Sequence, residues 1–134
     1  MSRGREIATI LFQKAWNDGE YDELDTVFAP GCVFHTSQGT MAYGVGDQIE
    51  LIEGHKESFP DAHFEIQHVV QEGDLVAVHV RMTGTQTGDY DGLPASGRSV
   101  DVGEMLFIRL DEGDVAEIWG IFDSYSERRQ LGMI

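Results

Sequence analysis

The chain has 134 residues, enough for one domain with a single core and too few for two. Nine basic against 24 acidic side chains leave a net charge of −15, a field that repels phosphate backbones and anionic membranes and so argues against nucleic acid or a membrane as partner. No apolar run approaches a membrane span, the N-terminus lacks the pattern of a signal peptide, and a lone Cys32 rules out an internal disulfide, which together point to the cytoplasm.

Elements follow in chain order as one domain over residues 1–134. From Glu6, the apolar positions Ile7, Ile10, Leu11 and Ala15 recur at helical spacing, and Asp18-Gly19 stops that helix. A short second helix is expected over residues 21–28, ended by Ala29-Pro30-Gly31, and a short strand over residues 32–36. Residues 37–46 read as a loop with three glycines. Asp47 is the natural cap of a third helix that carries Ile49, Leu51 and Ile52 and closes at Pro60-Asp61.

From Ala62 the period changes to two. Phe64, Ile66, His68 and Val70 are expected on one face of the first of four strands. Val76, Val78, Val80 and Met82 share a face of the second, and Val100, Val102, Leu106, Ile108 and Leu110 a face of the third, with Glu104 on that same apolar parity. The last strand, from Val115 to about Tyr125, is apolar on both faces, as a central strand would be, and a final helical turn is expected over residues 126–131. Tight turns favour antiparallel pairing. The prediction is an α+β fold in which a curved, mostly antiparallel sheet wraps three N-terminal helices and leaves a cavity at its open end.

Several residues could carry chemistry there. Asp123 shares strand parity with Trp119 and Ile121. If that face looks into the cavity, its carboxyl is a base of raised pKa; otherwise it caps the turn around Ser126. Glu104 interrupts an apolar face, as a pocket acid or as the partner of Arg81 or Arg109. His35 and His68 also sit at strand spacing with apolar neighbours. Tyr43, Trp119, Phe59, Phe122 and Trp16 are aromatics that could line a cavity for a flat ligand or fill the core. His79 and Arg81 are expected at the surface or an interface, and His55 and His63 exposed. No spacing matches a dedicated metal motif, and the glycine-rich stretch lacks the lysine of a phosphate loop, so neither metal nor cofactor is expected.

Three stretches carry a resemblance. These are Gly84-Thr85-Gln86-Thr87-Gly88 with Gly92-Leu93-Pro94-Ala95-Ser96-Gly97-Arg98, then Glu117-Ile118-Trp119 with Asp123, then Gln130-Leu131-Gly132. The sequence resembles the SnoaL-like polyketide cyclases of the NTF2-like superfamily. That resemblance implies an NTF2-like α+β cone, a small hydrophobic substrate and a homodimer joined through its sheets. It also implies a general acid/base at Asp123, with a histidine at the first strand, here His35. Where several members carry a further histidine on the preceding strand, this chain reads Met105-Leu106-Phe107. The expected chemistry is proton abstraction beside a carbonyl, leading to intramolecular aldol closure or isomerisation of a polycyclic ketone. Asp123 takes the proton, and His35 or Glu104 assists at the enolate oxygen. Epoxide hydrolysis using Asp123, Glu104 and Arg81, or a non-catalytic binding or dimerisation module, are the alternatives.

Overall fold

The computed structural model describes residues 2–134. Helix α1 (Arg3–Ala8) starts at Ser2, whose hydroxyl accepts from the Arg5 amide, and runs on as a π-helical segment, Thr9–Asn17. The expected second helix shrinks to a 3-10 turn, Leu24–Thr26, because strand β1 (Phe28–Thr36) begins four residues before the predicted start. The expected loop after it holds a short edge strand, β2 (Gly39–Ala42). Helix α2 (Val45–Ser58) is capped from Gly44, and Asp47 contributes from inside the first turn by accepting the Gly44 amide at 2.9 Å. Strands β3 (His63–Glu72), β4 (Leu75–Thr85), β5 (Ser99–Asp111) and β6 (Asp114–Phe122) follow, and helix α3 (Ser124–Gln130) ends the fold.

The six strands form one sheet in the order β2-β1-β6-β5-β4-β3, antiparallel except for the parallel pair β1–β6. Its inner face carries Val76, Val78, Val80 and Met82 of β4 and Val102, Leu106, Ile108 and Leu110 of β5, all buried against Ile7, Leu11, Phe12 and Trp16 of the N-terminal helix. Burial of this kind stabilises by about 25 cal/mol per Å² of apolar surface, so the helix–sheet seam is the main source of stability. The helix also seals the edge of β3. The Asn17 side chain donates to Phe64 O and accepts from Phe64 N, both at 2.8 Å, and Gln71 accepts from Gly4 N at 2.7 Å. The free Phe64 amide and carbonyl at this sheet edge, which would otherwise invite another chain, are thereby satisfied, as is the Gly4 amide of the helix.

One irregularity reorders the expected faces. A bulge between Ile66 and His68 inserts a residue into β3, so Phe64 and Ile66 face inward, whereas His68 pairs with His79 on the outer face. The extra residue shifts the period-two alternation by one from that point on, which brings Val69 inward and turns Val70 out.

Candidate functional site

The candidate site lies where Tyr43 and the first turn of α2 meet the inner side of β1 and β5. Phe34 of β1 lies across β6 at Gly120. A methyl group there would stand 2.9 Å from the Phe34 ring and 3.1 Å from Leu106, so only glycine lets the ring settle on the strand. The Tyr43 ring packs edge-on against Phe34, with centroids 5.0 Å apart, and against Phe28 at 5.7 Å. Its hydroxyl donates to Gln48 Oε1 at 2.9 Å, and both residues are 6% exposed.

Glu104 of β5 points into the same region, directly across from Phe122 of β6 and Val80 of β4. The residue keeps intermediate exposure, so a path to solvent remains. Among the described residues its carboxyl has neither a hydrogen-bond donor nor an ion-pair partner; Arg81 and Arg109 are engaged elsewhere, with Asp101 and Glu117. Desolvation therefore acts unopposed and lifts the Glu104 pKa from 4.5 to about 7. The Tyr43 hydroxyl is held well above its ordinary pKa, first by burial and further by the negative charges of Asp47 and Glu104, so it stays protonated. Buried Cys32 has its thiol pushed up to about 11 by burial, which leaves it an inert apolar side chain. The arrangement is an apolar inner face with one acid poised near neutrality and, nearby, one hydrogen-bonded Tyr–Gln pair.

The other expected site residues lie elsewhere. Asp123 is exposed and caps α3, accepting from the Ser126 amide at 3.1 Å and the Ser126 hydroxyl at 2.8 Å. Those two hydrogen bonds hold its carboxyl below the ordinary aspartate range, the reverse of what a base working near neutrality needs. The face it was expected to share with Trp119 and Ile121 is the outer one, and these two residues are 39% and 70% exposed. His35 is also on that side. Its ring stacks on Trp119, Nε2 bonds Glu117 at 2.6 Å, and Nδ1 bonds the Thr40 hydroxyl at 2.8 Å. Arg109 reaches Glu117 as well, and with His35 it holds the Glu117 carboxyl below its ordinary pKa.

His68 faces His79 across the bulge, Nδ1 to Nδ1 at 3.1 Å. Phe59 and Trp16 are core residues, 0% and 7% exposed, packed on His55. His55 is therefore half-buried rather than exposed, and burial drives its pKa down to about 4. The structure thus brings Glu104, Tyr43 and Phe122 together and separates Asp123, His35, His68 and Trp119 from them. Arg81 pairs with Asp101 at 2.5 and 2.6 Å on the outer face, so the trio needed for epoxide hydrolysis is not assembled. Among the described residues no three or more His, Cys, Asp or Glu side chains gather to hold a metal ion, and no helix is long and apolar enough to cross a membrane.

Sequence reasoning missed Gln48 and Phe34. Gln48 sits one helical turn before fully buried Ile52, on the same face of α2, and that spacing was a usable signal of an inward amide.

The glycine-rich segment between β4 and β5 is a folded strap rather than a loose loop. Gln86 is fully buried at its base. Its Nε2 donates to the carbonyls of Gly88, Leu93 and Pro94, and its Oε1 accepts from the Ser96 amide and hydroxyl. Tyr90 donates to Glu127 of α3 at 2.6 Å, and burial raises the pKa of that glutamate. Ser58 O accepts the amides of Thr87 and Gly88, which ties the strap to the end of α2. Behind the sheet, Val70, Met105, Phe107, Trp119, Ile121 and the two stacked histidines line an exposed apolar groove of about 280 Å³.

Comparison with known proteins agrees with this architecture. The family model described as SnoaL-like polyketide cyclase matches residues 6–131. A SnoaL-like polyketide cyclase candidate from Jannaschia sp. CCS1 superposes with a TM-score of 0.84 at 28% identity, over 98% of this chain and 93% of that one. IdmH of Streptomyces antibioticus, a candidate polyketide cyclase, gives a TM-score of 0.83 at 25% identity, over 98% and 99%. AclR of Streptomyces galilaeus, a candidate hydroxylase, gives 0.85 at 23% identity over 100% and 83%, a likeness of fold. No curated protein matches the chain.

Proposed function

Because the chain belongs to the SnoaL-like polyketide cyclase family, we propose that it is an acid/base catalyst acting on a hydrophobic ketone, with Glu104 as the group that moves the proton. One observation carries this reading: the Glu104 carboxyl, on the apolar inner face of β5, has no partner among the described residues and a pKa near 7. An acid poised there is ionised often enough to accept a proton and basic enough to attack a carbon acid. Carbon between two carbonyls is acidic enough that a single carboxylate suffices, and no cofactor is invoked.

The steps balance within the substrate. Glu104 takes the proton from the carbon beside the carbonyl, and the C–H electron pair moves onto the carbonyl oxygen as an enolate. The enolate carbon then attacks a second carbonyl of the same molecule, forming the ring bond. The resulting alkoxide recovers the proton from the Glu104 carboxyl. Phe34, Phe122 and the Tyr43 ring supply an apolar wall suited to a flat substrate. Asp123 contributes here only by ordering α3.

Deuterium exchange at the central carbon of an aryl 1,3-diketone, followed by NMR in D2O, tests this directly. Glu104→Gln is expected to lower the enzymatic exchange rate by about a hundredfold or more. The wild-type rate is expected to rise with pH and level off above about 7. Exchange at the wild-type rate in Glu104→Gln would remove Glu104 from the mechanism.

The outer face supports a homodimer. Met105, Phe107, Trp119 and Ile121 form a contiguous exposed apolar surface on the middle strands, of a kind that a second sheet covers.

A further inference from the structure

We infer that His68, His79 and Met105 form a binding site for monovalent copper on the outer face of the sheet. The site is independent of the proton-transfer reading of Glu104, whose side chain projects from the opposite face of β5.

Strand register puts the three side chains in one row. His68 of β3 pairs with His79 of β4, and His79 pairs with Met105 of β5, so all three project from the same face. The bulge between Ile66 and His68 brings His68 there: without the extra residue it would lie on the inner face with Phe64 and Ile66. The two imidazoles meet directly, Nδ1 to Nδ1 at 3.1 Å, with their planes 8° from parallel. All three residues line the exposed apolar groove of about 280 Å³.

Two ring nitrogens that face each other can be satisfied in two ways. One ring donates its Nδ1 proton to the other, or both carry their proton on Nε2 and turn their Nδ1 lone pairs to a shared electrophile. Passing from the first state to the second moves one proton from Nδ1 to Nε2 of a single ring and leaves both rings neutral. Imidazole nitrogens that share an ion at about 2 Å each stand roughly 3 to 3.5 Å apart, and the observed spacing falls in that range. Small rotations of the two rings aim the lone pairs at one point above the row.

The donor set selects the ion. Imidazole accepts zinc, nickel and copper alike, whereas a thioether favours a soft ion, and monovalent copper is the soft one among these. Met105 is 60% exposed, so its sulfur can swing over the imidazoles instead of being fixed in the core. Charge points the same way. The three donors are neutral, and no carboxylate lines the groove: Asp101 is held by Arg81, and Glu117 by Arg109 and His35. A divalent ion would bring twice the uncompensated charge of a monovalent one into apolar surroundings.

Copper competition with bicinchoninate, whose copper complex absorbs visible light, tests the site on tag-free protein under anaerobic conditions with ascorbate. The wild type is expected to withdraw one equivalent of copper from the probe. His68→Gln and His79→Gln should each weaken binding about a hundredfold or more, and Met105→Leu, which keeps the volume, about tenfold. Zinc should bind more weakly than copper and be indifferent to Met105→Leu. Urea midpoints of the metal-free proteins report whether the fold is kept. His68 is exposed, so His68→Gln decides the matter even where His79→Gln lowers stability. Failure of the wild type to take copper from the probe, or unchanged affinity in His68→Gln, overturns the site. Wild-type affinity in Met105→Leu, or tighter binding of zinc than of copper, overturns the thioether ligand and the choice of ion.

Discussion

Replacing Glu104 by glutamine should make the protein more stable, and by an amount that depends on pH. The carboxyl has a pKa of 4.5 when unfolded and about 7 when folded, because burial penalises its charged form without a compensating partner. The folded state therefore binds the proton more tightly, and the stability that the protonated acid allows is present in full below about pH 4.5. It is lost as the pH rises toward 7 and stays lost above it. Each tenfold change in proton affinity is worth about 1.4 kcal/mol, so the whole loss is about 3 kcal/mol. Glutamine has the size of the protonated acid and no charge to desolvate, so the variant escapes the loss. Urea unfolding of both proteins at pH 4.5, 6 and 8 measures it. The stability advantage of Glu104→Gln is expected to be near zero at the lowest pH and to approach about 3 kcal/mol at the highest. All other titrating groups are common to both proteins and cancel in the difference. An advantage that is constant with pH, or absent at pH 8, would mean that the carboxyl is solvated, and the case for it as a base would end.

The remaining predictions concern the frame around the site. Gly88→Ala would put a methyl carbon 1.9 Å from the Glu57 carbonyl oxygen, which is backbone and cannot step aside, so the strap should detach from α2 at a cost of several kcal/mol; hydrogen exchange at the Thr87 amide, which bonds Ser58 O, should rise in step with the lost stability. Asp123→Ala removes the cap of α3 and should cost about 1 kcal/mol in urea unfolding while leaving diketone exchange within a few-fold of wild type; a hundredfold loss would return Asp123 to the mechanism. Ile121→Glu places a charge in the middle of the exposed apolar face, where the native side chain is 70% exposed. Sedimentation is expected to show a dimer for the wild type and a monomer for the variant, with unchanged monomer stability.

Much of the architecture was legible because it rests on local pattern. Period-two alternation from Ala62 onward marked four strands, and Glu72-Gly73-Asp74 and Asp111 to Asp114 marked their turns. Residues 21–28 were misread because helix propensity there competes with pairing to β6, and Phe28 and Val33 are already in register with Val115 and Glu117. The candidate site was only half legible. Glu104 stood out as a carboxylate on a run of buried valines and leucines, and Tyr43 as an aromatic beside a helix start. Strand parity left Asp123 open between a base and a cap around Ser126, and family likeness tipped it and His35 toward the site, whereas His68 was drawn in by an alternation that the bulge after Ile66 interrupts.

Which residues share a face of a strand is set by the chain itself, since side chains must alternate across an extended backbone. So is the conflict at Glu104: a charge placed in an apolar row is costly wherever that row is buried. Which of the two faces becomes the inside is decided only when the N-terminal helix lies down on one side of the sheet and water is driven from it. That choice put Glu104 among valines and left Trp119, Ile121 and Asp123 toward solvent. It also set the local pair Tyr43 and Gln48 near that glutamate, which belongs to a strand far along the chain. Desolvation is a property of the assembled surroundings, so a pKa near 7 belongs to the tertiary structure and to no stretch of sequence.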